Sequence, residues 1–103
     1  MDEKRACKLY TQAVEQGHAW AMNNLGYCYQ HGLGVDKDLP KAVELYTQAA
    51  EKGDASAMYG LAFNHEYGES VNLPEARRLY QMAADADDKE AVKALARLTA
   101  AGH

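Results

Sequence analysis

Proline, β-branched residues and long apolar runs are all scarce in this sequence. Its 103 residues include two prolines, at positions 40 and 74, against many alanines. Proline disrupts helix interiors and β-branched side chains favour strands, so their scarcity favours an all-α fold. No apolar run reaches the roughly eighteen residues of a membrane-spanning helix, and the N-terminus MDEKRACKLY carries charges where a signal peptide is apolar. The sequence therefore predicts a helical, cytoplasmic protein without membrane insertion.

Cysteine is also scarce, because Cys7 and Cys28 are the only two. Their spacing does not match the C-x-x-C pairs that are typical of redox motifs and zinc sites. We expect two small, buried, reduced thiols, with no disulfide, no metal and no cofactor.

Basic residues are too few and too scattered to favour nucleic-acid binding. Eleven lysines and arginines stand against fifteen aspartates and glutamates, which gives a formal net charge of −4. Binding to phosphates requires a concentrated basic surface. The expected partner is therefore a protein or peptide, and no nucleic acid is expected.

One five-residue motif, LYTQA, occurs at residues 9–13 and again at 45–49, and a variant, LYQMA, follows at 79–83. A shift of 36 residues aligns the first two copies and leaves 15 of 34 positions identical. The third copy aligns with the second at a shift of 34 residues. A repeat period of this length is typical of stacked helical hairpins.

Each copy is predicted to contain two helices, because apolar residues recur at spacings of three and four. The first helix of copy one has an apolar face that we expect to be core: Ala6, Leu9, Tyr10, Ala13 and Val14. Gly17 and Gly53 are predicted to end the first helices in a left-handed conformation, and Asp38 and Asn72 are predicted N-caps. The six predicted helices span residues 2–16, 18–31, 39–52, 54–67, 73–86 and 88–100.

The pattern A-x-x-L-Y-x-Q-A-x-E-x-G-x-A-x-A-M-x-x-L, followed by Gly32, Gly34 and Val35, resembles the Sel-1-like repeat, a relative of the tetratricopeptide repeat. Three copies, at about 2–37, 38–71 and 72–103, then form a single repeat domain over residues 1–103. The resemblance implies an α-solenoid of three antiparallel hairpins wound as a right-handed superhelix. It also implies a scaffold that binds a protein or peptide partner on its concave face.

Copies two and three depart from this pattern in their turns. Copy two has Ser70 where copy one has Gly34, and copy three has Asp87 where copy two has Gly53. One branch of the family is cysteine-rich and joins each hairpin by a disulfide, but Val14 and Met22 occupy the matching positions of copy one. A hydrolase activity is ascribed to some members of that branch, yet the sequence has no Ser-x-x-Lys pair.

The histidines do not form a catalytic or metal-binding pattern. His18, His31, His65 and His103 include no pair at helical i, i+4 spacing with a carboxylate between. Cys28 has His31 three positions later, but Cys28 falls on a predicted core face. We predict that the chain is not an enzyme, and a small hydrolase that uses Cys28, His31 and His65 is the alternative.

Aromatic side chains on the second helices lie off the predicted core face and have two interpretations. Trp20, Tyr27, Tyr59 and Phe63 either form a binding patch or pack against the next hairpin, as a solenoid requires. The equivalent positions of copy three are charged: Glu90, Lys93 and Arg97. Because a terminal repeat is expected to have a polar outer face, we favour packing.

The first helices carry polar residues away from the core, and these are the predicted partner-binding residues: Lys8, Thr11, Gln12, Glu44, Thr47, Gln48, Arg78 and Gln81. Stacked hairpins place such residues on the inner wall of a solenoid, where they bind partners by hydrogen bonds and charge. An ordinary solvated helix face is the alternative for each residue. Within the motif at 45–49, we then expect Leu45, Tyr46 and Ala49 to be core residues. Thr47 and Gln48 are expected to lie on the inner surface of the solenoid. Two further roles stay open, a structural segment of a longer array and self-association through the repeat ends.

Overall fold

The computed structural model describes residues 2–68 and 71–102. Within these residues the chain forms six α-helices and no strand: α1 (Glu3–Glu15), α2 (Ala19–His31), α3 (Leu39–Glu51), α4 (Ala55–Tyr67), α5 (Leu73–Asp85) and α6 (Lys89–Ala100). The chain divides into two compact units, with α1 to α3 in Met1–Asp54 and α4 to α6 in Ala55–His103. None of the described helices is long and apolar enough to cross a membrane. The predicted all-α architecture is confirmed, and every predicted helix end lies within about one residue of the observed end.

Side-chain caps begin α3 and α5 at the predicted residues. The Asp38 carboxylate accepts a hydrogen bond from the Lys41 N–H at 3.1 Å, and the Asn72 side-chain oxygen accepts one from the Glu75 N–H at 3.1 Å. A proline follows each cap in the first turn, where the missing N–H costs no helical hydrogen bond. Each cap satisfies an N–H group that has no partner within the helix, which favours these start positions.

The first helix of each copy is followed by a residue in the left-handed conformation. Gly17 and Gly53 have φ angles of 86° and 90°, as predicted, and glycine adopts this conformation without a Cβ clash. The third copy has Asp87 at the equivalent place, with a φ of 69°. The N–H of the next residue bonds back to the helix in all three copies, at 3.2, 3.1 and 3.0 Å. The turn therefore keeps its geometry in copy three although its residue is not glycine.

Asp87→Gly is expected to stabilise the chain by about 1 kcal/mol. A left-handed conformation costs a non-glycine residue on the order of 1–2 kcal/mol, and the greater freedom of glycine in the unfolded chain offsets part of that gain. Asp87 is exposed, so little packing is lost. Urea unfolding at neutral pH measures the change, and Asp85→Gly, inside α5, serves as the control that should lose stability. Equal losses in both variants would contradict this account of the turn.

Helix α2 packs closely on α3 because α2 presents a glycine to the tyrosine of α3. A Cβ at Gly26 would lie 3.0 Å from Cε1 of Tyr46 and 3.4 Å from the backbone oxygen of Ala42. Tyr46 is buried, and its hydroxyl donates a hydrogen bond to Oε1 of Gln30 at 2.6 Å. The core of the first unit adds four buried residues, from all three helices: Cys7, Leu25, Cys28 and Leu45.

The second unit has the same tyrosine contact with an ion pair added to it. The Tyr80 hydroxyl donates to Oε1 of Glu66 at 2.7 Å, and Nη2 of Arg97 donates to the same oxygen at 2.8 Å. The Arg97 guanidinium also lies 5.7 Å from the ring centre of Tyr67. The Glu66 carboxylate therefore joins α4, α5 and α6. Arg97 was predicted to belong to a polar terminal face, but it binds Glu66 within its own unit.

The Glu66 contacts predict a pH-dependent stability. The hydrogen bond from Arg97 lowers the pKa of Glu66 below the ordinary 4.5; burial opposes this, and the Tyr80 hydroxyl adds to it. A carboxyl group whose pKa is lowered by folding stabilises the protein above its unfolded pKa and loses that contribution as the pH falls through its folded pKa. Glu66→Gln should therefore cost about 1–2 kcal/mol at pH 7, with the Arg97 share reduced by solvent screening, and progressively less as the pH falls below 4.5.

Urea unfolding of the wild type and Glu66→Gln across this pH range checks the prediction. Glu90→Gln on α6 is the matched control, because Glu90 pairs with Lys93 in solvent, at 3.5 Å, and such pairs contribute little. A difference between wild type and Glu66→Gln that stays constant from neutral to acidic pH would contradict it.

Leu9 is an exception to the predicted core. Leu9 is 56% exposed, whereas its equivalents Leu45 and Leu79 are 3% and 5% exposed. The other residues of the predicted α1 core face are buried or half-buried. The prediction for Leu9 is wrong because α2 covers this face of α3 and α4 covers it on α5, whereas no helix of the described chain covers it on α1.

Candidate functional site

The polar residues predicted to bind a partner are all exposed: Lys8, Thr11, Gln12, Glu44, Thr47, Gln48, Arg78 and Gln81. Three of them, Lys8, Thr11 and Gln12, line a groove of about 470 Å³ in the first unit. The remaining lining residues were not predicted to belong to a site: Lys4, Cys7, Gly34 and Val35. We call this feature the α1 groove.

One side of the α1 groove is α1, and the other is the loop between α2 and α3. A Cβ at Gly34 would lie 2.5 Å from the Glu3 carbonyl oxygen and 2.8 Å from the Lys4 nitrogen, and Gly34 has a φ of 76°. The Cys7 thiol donates a hydrogen bond to the Leu33 carbonyl oxygen at 3.0 Å. The loop is therefore held against α1 at two successive residues, which positions both sides of the groove.

The threonines of the first two copies are held in the same way. Oγ1 of Thr11 donates to the Cys7 carbonyl oxygen at 2.8 Å, and Oγ1 of Thr47 donates to the Val43 carbonyl oxygen at 2.7 Å. Each hydroxyl hydrogen is used within its helix, whereas the oxygen still has a lone pair for an incoming donor. At these two positions a ligand is expected to donate a hydrogen bond, not to accept one.

The charge of the α1 groove is positive. Lys4 and Lys8 line it one helical turn apart, and no acidic residue is among its lining residues. Neither lysine forms an ion pair within the part of the chain that the structure describes. Gln12 adds an amide that both donates and accepts. The groove therefore suits a ligand with carboxylate groups and peptide-like donors.

On α3, the predicted residues are largely free to contact a ligand. Nζ of Lys41 lies 3.9 Å from Oε1 of Glu44, a solvent-exposed pair that contributes little. Gln48 forms no side-chain hydrogen bond within residues 2–68 and 71–102. Together with Thr47, these residues present both hydrogen-bond donors and acceptors to solvent.

On α5, the predicted residues already have partners in their own helix. Nε of Arg78 donates to Oε2 of Glu75 at 3.0 Å, and Nε2 of Gln81 donates to Oδ1 of Asp85 at 2.9 Å. The Glu75 pair raises the pKa of Arg78, so its positive charge is secure. A ligand on α5 would have to compete with these exposed helical contacts, which are individually weak.

The aromatic residues of the second helices behave in two ways. Tyr59 packs on Tyr80 of α5 with 5.5 Å between ring centres, which confirms packing against the next hairpin at that position. Trp20 and Tyr27 are each 53% exposed, so any packing against the next hairpin covers them only in part. Trp20 contacts Tyr10 of its own hairpin, with 6.2 Å between ring centres.

The thiol of the alternative hydrolase, Cys28, is not activated in the structure. Burial, followed by a hydrogen bond with Cys7, raises the pKa of Cys28 to about 12. A thiol with such a pKa stays protonated at neutral pH and is a poor nucleophile. His31 is exposed and packs on Tyr27 with 4.3 Å between ring centres, and His65 lies on α4 of the other unit.

Within residues 2–68 and 71–102 no group of three or more histidine, cysteine or acidic side chains is placed to hold a metal ion. Both cysteines are free and buried, as predicted. Two residues of the sequence analysis, Ser70 and His103, lie outside the described residues.

Comparison with known families agrees with the repeat pattern. A family model described as Sel1 repeat matches residues 2–18, 21–54 and 55–88. The second and third matches join α2 with α3 and α4 with α5, which are the helix pairs in closest contact. A search of curated proteins gives no match.

Solved structures of similar chains have the same fold. A Sel1 repeat protein from Oxalobacter formigenes gives a TM-score of 0.88 at 33% sequence identity, over 99% of this chain and 42% of that chain. A protective antigen present in uropathogenic Escherichia coli strains, displaying an SLR fold, gives a TM-score of 0.87 at 23% identity, over 94% of this chain and 21% of that chain. The present chain therefore spans less than half the length of either protein, and the second likeness concerns the fold alone.

Proposed function

Because the chain belongs to the Sel1 repeat family, whose helical repeats generally serve protein interaction, we propose that it binds an extended acidic peptide segment of a protein partner. The segment lies in the α1 groove and continues along the exposed polar face of α3. The observation that carries this proposal is the groove of about 470 Å³ that brings Lys8, Thr11 and Gln12 together.

Charge supports an acidic segment. The groove has two lysines one turn apart and no acidic lining residue, although the whole chain has a net charge of −4. A local positive site on an acidic protein attracts carboxylates while the remaining surface repels them. Lysine contacts to carboxylates at an exposed site are screened by salt, so we expect binding to weaken as the salt concentration rises.

Hydrogen bonding supports a peptide backbone as the ligand. The hydroxyl groups of Thr11 and Thr47 already donate their hydrogens to carbonyl oxygens of their own helices. Both hydroxyl oxygens are therefore expected to accept a hydrogen bond from a ligand. Gln12 and Gln48 have amide groups that donate to carbonyl oxygens and accept from N–H groups. Alternating donors and acceptors of this kind match the N–H and C=O groups of an extended chain.

Within the first unit, the proposed surface includes Glu44 on α3. For the second unit, we propose that Arg78 and Gln81 on α5 also contact the partner. Arg78 brings a further positive charge, and its exposed contact with Glu75 is one that a ligand carboxylate is able to replace. Glu44 repels a carboxylate, so we expect the ligand to have a basic or neutral residue next to Glu44.

Selection of peptides from a displayed random library against the folded chain tests the proposal. Enriched peptides are expected to be acidic. For a selected peptide, the double variant Lys4→Glu, Lys8→Glu should weaken binding at least about tenfold, because each exposed lysine contact contributes up to about 1 kcal/mol and reversal adds repulsion. The triple variant Gln48→Ala, Arg78→Ala, Gln81→Ala should weaken binding without changing the melting temperature.

The matched control exchanges a charge pair elsewhere on the surface. Glu90→Lys combined with Lys93→Glu keeps the pair on α6 and the net charge, so affinity should stay unchanged. Enrichment of peptides without acidic residues, or equal loss of affinity in the control and in the lysine variant, would overturn the proposal.

A further inference from the structure

The first unit carries an apolar face that the described part of the chain covers only in part: Ala6 is buried, Tyr10 and Ala13 are half-buried, and Leu9 is exposed. It consists of Ala6, Leu9, Tyr10 and Ala13, and we call it the α1 face. Leu9 is 56% exposed, and Trp20, which is 53% exposed, lies beside Tyr10. An exposed apolar patch that includes tryptophan and tyrosine side chains is a feature of interaction surfaces. The α1 face is distinct from the α1 groove, which has other lining residues.

The same face is covered in the other two copies of the repeat. The equivalent residues are at most 5% exposed: Ala42, Leu45, Tyr46 and Ala49 on α3, and Ala76, Leu79, Tyr80 and Ala83 on α5. In both units the cover is the preceding helix, α2 over α3 and α4 over α5. One sequence pattern therefore occurs twice with its leucine covered by the preceding helix and once with its leucine exposed. The two covered copies indicate what fits the third.

The covering helices share a small residue at the point of contact. Gly26 of α2 stands against the ring of Tyr46, where even a Cβ would lie 3.0 Å from Cε1. The aligned residue of α4 is Ala62, which is fully buried. A larger side chain at this position would hold the two helices apart.

The covering helices also share a hydrogen-bond acceptor four residues after the small one. Oε1 of Gln30 accepts from the Tyr46 hydroxyl at 2.6 Å, and Oε1 of Glu66 accepts from the Tyr80 hydroxyl at 2.7 Å. A buried tyrosine hydroxyl without such an acceptor is costly. The Tyr10 hydroxyl has no hydrogen-bond partner among the described residues.

We propose that the α1 face binds a helix of a partner protein, with glycine or alanine at one position and glutamine or glutamate four residues later. This helix lies on α1 as α2 lies on α3, covers Leu9 and offers its acceptor to Tyr10. Helix α6 of a second copy does not meet the description, because Ala96 is followed four positions later by Ala100, which has no side-chain acceptor. The proposed occupant is therefore a helix of a partner protein and not α6 of a second copy.

A synthetic peptide with the sequence of residues 55–67 is the probe, since it carries the pattern as Ala62 and Glu66. A hydrocarbon staple between positions 60 and 64 keeps it helical and lies on the side away from Ala62 and Glu66. Trp20 is the only tryptophan of the chain, and the peptide has none. Binding should therefore shift the Trp20 fluorescence to shorter wavelengths, in a saturable manner.

Variants of the chain and of the peptide distinguish the proposed contact from nonspecific hydrophobic binding. Leu9→Lys should weaken binding about tenfold or more, because the apolar burial of one leucine is lost. Val92→Lys on α6, which replaces another exposed apolar residue, should leave the affinity unchanged. In the peptide, Glu66→Ala should weaken binding about tenfold through the lost acceptor for Tyr10, and Ala62→Leu should abolish it.

Sedimentation of the free chain completes the test. A monomer that binds the peptide with these variant effects supports the proposal. No saturable fluorescence change, or an affinity that Leu9→Lys leaves unchanged, would overturn it. Concentration-dependent dimers that Leu9→Lys dissociates and that the peptide does not disrupt would also overturn it, because the occupant would then be a second copy. Leu9 is exposed, so its variant is expected to fold, which the melting temperature verifies.

Discussion

Leu45→Ala is expected to lower the free energy of unfolding by about 2–5 kcal/mol, because truncation of a buried leucine leaves a cavity. Leu45 is 3% exposed and lies in a core cluster with Cys7, Leu25 and Cys28. Domains of this size have total stabilities of about 5–15 kcal/mol, so the loss is a large fraction. Urea unfolding followed by circular dichroism measures it.

The repeat itself supplies the matched control. Leu9→Ala makes the same substitution at the equivalent position of the first LYTQA motif. Because Leu9 is exposed, the free energy of unfolding should change by no more than about 0.5 kcal/mol. Thr47→Ala and Gln48→Ala, which are surface changes in the second motif, should have effects of the same small size. Similar losses for Leu9→Ala and Leu45→Ala would show that the α1 face is buried in solution, contrary to the structure.

Gly34→Ala is the second substitution with a large expected effect, a loss of about 2–5 kcal/mol. The φ of 76° costs a residue with a Cβ on the order of 1–2 kcal/mol. The new Cβ would also meet backbone atoms of Glu3 and Lys4 within 2.8 Å, and overpacking against atoms that cannot rotate away costs about 1–3 kcal/mol more. The loop must then move away from α1, so the α1 groove should open and the proposed peptide binding should weaken.

Gly17→Ala separates the two causes. Gly17 has a φ of 86°, yet a Cβ there would have nothing within 4 Å. Its loss should therefore be limited to the conformational cost of about 1–2 kcal/mol, and peptide binding should be retained. Equal losses for both glycines would show that the loop is not held against α1.

The sequence predicts the helices and their ends well because these depend on neighbouring residues. Apolar spacing sets the helical faces, Asp38 and Asn72 supply caps, and Gly17 and Gly53 supply left-handed ends. The resemblance to one repeat family adds the pairing of helices, which the family model and the solved structures support.

The features that the sequence does not predict depend on contacts between distant residues. The spacing of apolar residues predicts that Leu9 and Leu45 are both core residues. Only the structure shows that Leu45 is covered by a helix and that Leu9 is exposed. The contact of Arg97 with Glu66 joins residues 31 positions apart and leaves no local pattern.

The α1 groove combines both cases. Lys8, Thr11 and Gln12 are predictable as an exposed helix face. Lys4 lies one turn before Lys8 on α1 itself, whereas Val35 joins them only because the loop after α2 lies against the start of α1. The sequence contains one indication of this contact, Gly34, because glycine is favoured where the backbone conformation or a close approach leaves no room for a side chain.

Amide chemical-shift mapping of the folded chain, titrated with an acidic peptide selected against it, tests the proposed binding surface most directly. We expect the largest shifts at Lys4, Lys8, Thr11, Gln12 and Val35, with smaller shifts at Thr47 and Gln48, and we expect them to disappear in the Lys4→Glu, Lys8→Glu variant. Shifts that cluster instead around Leu9, Trp20 and Tyr27, or that persist in the lysine variant, would contradict binding in the α1 groove.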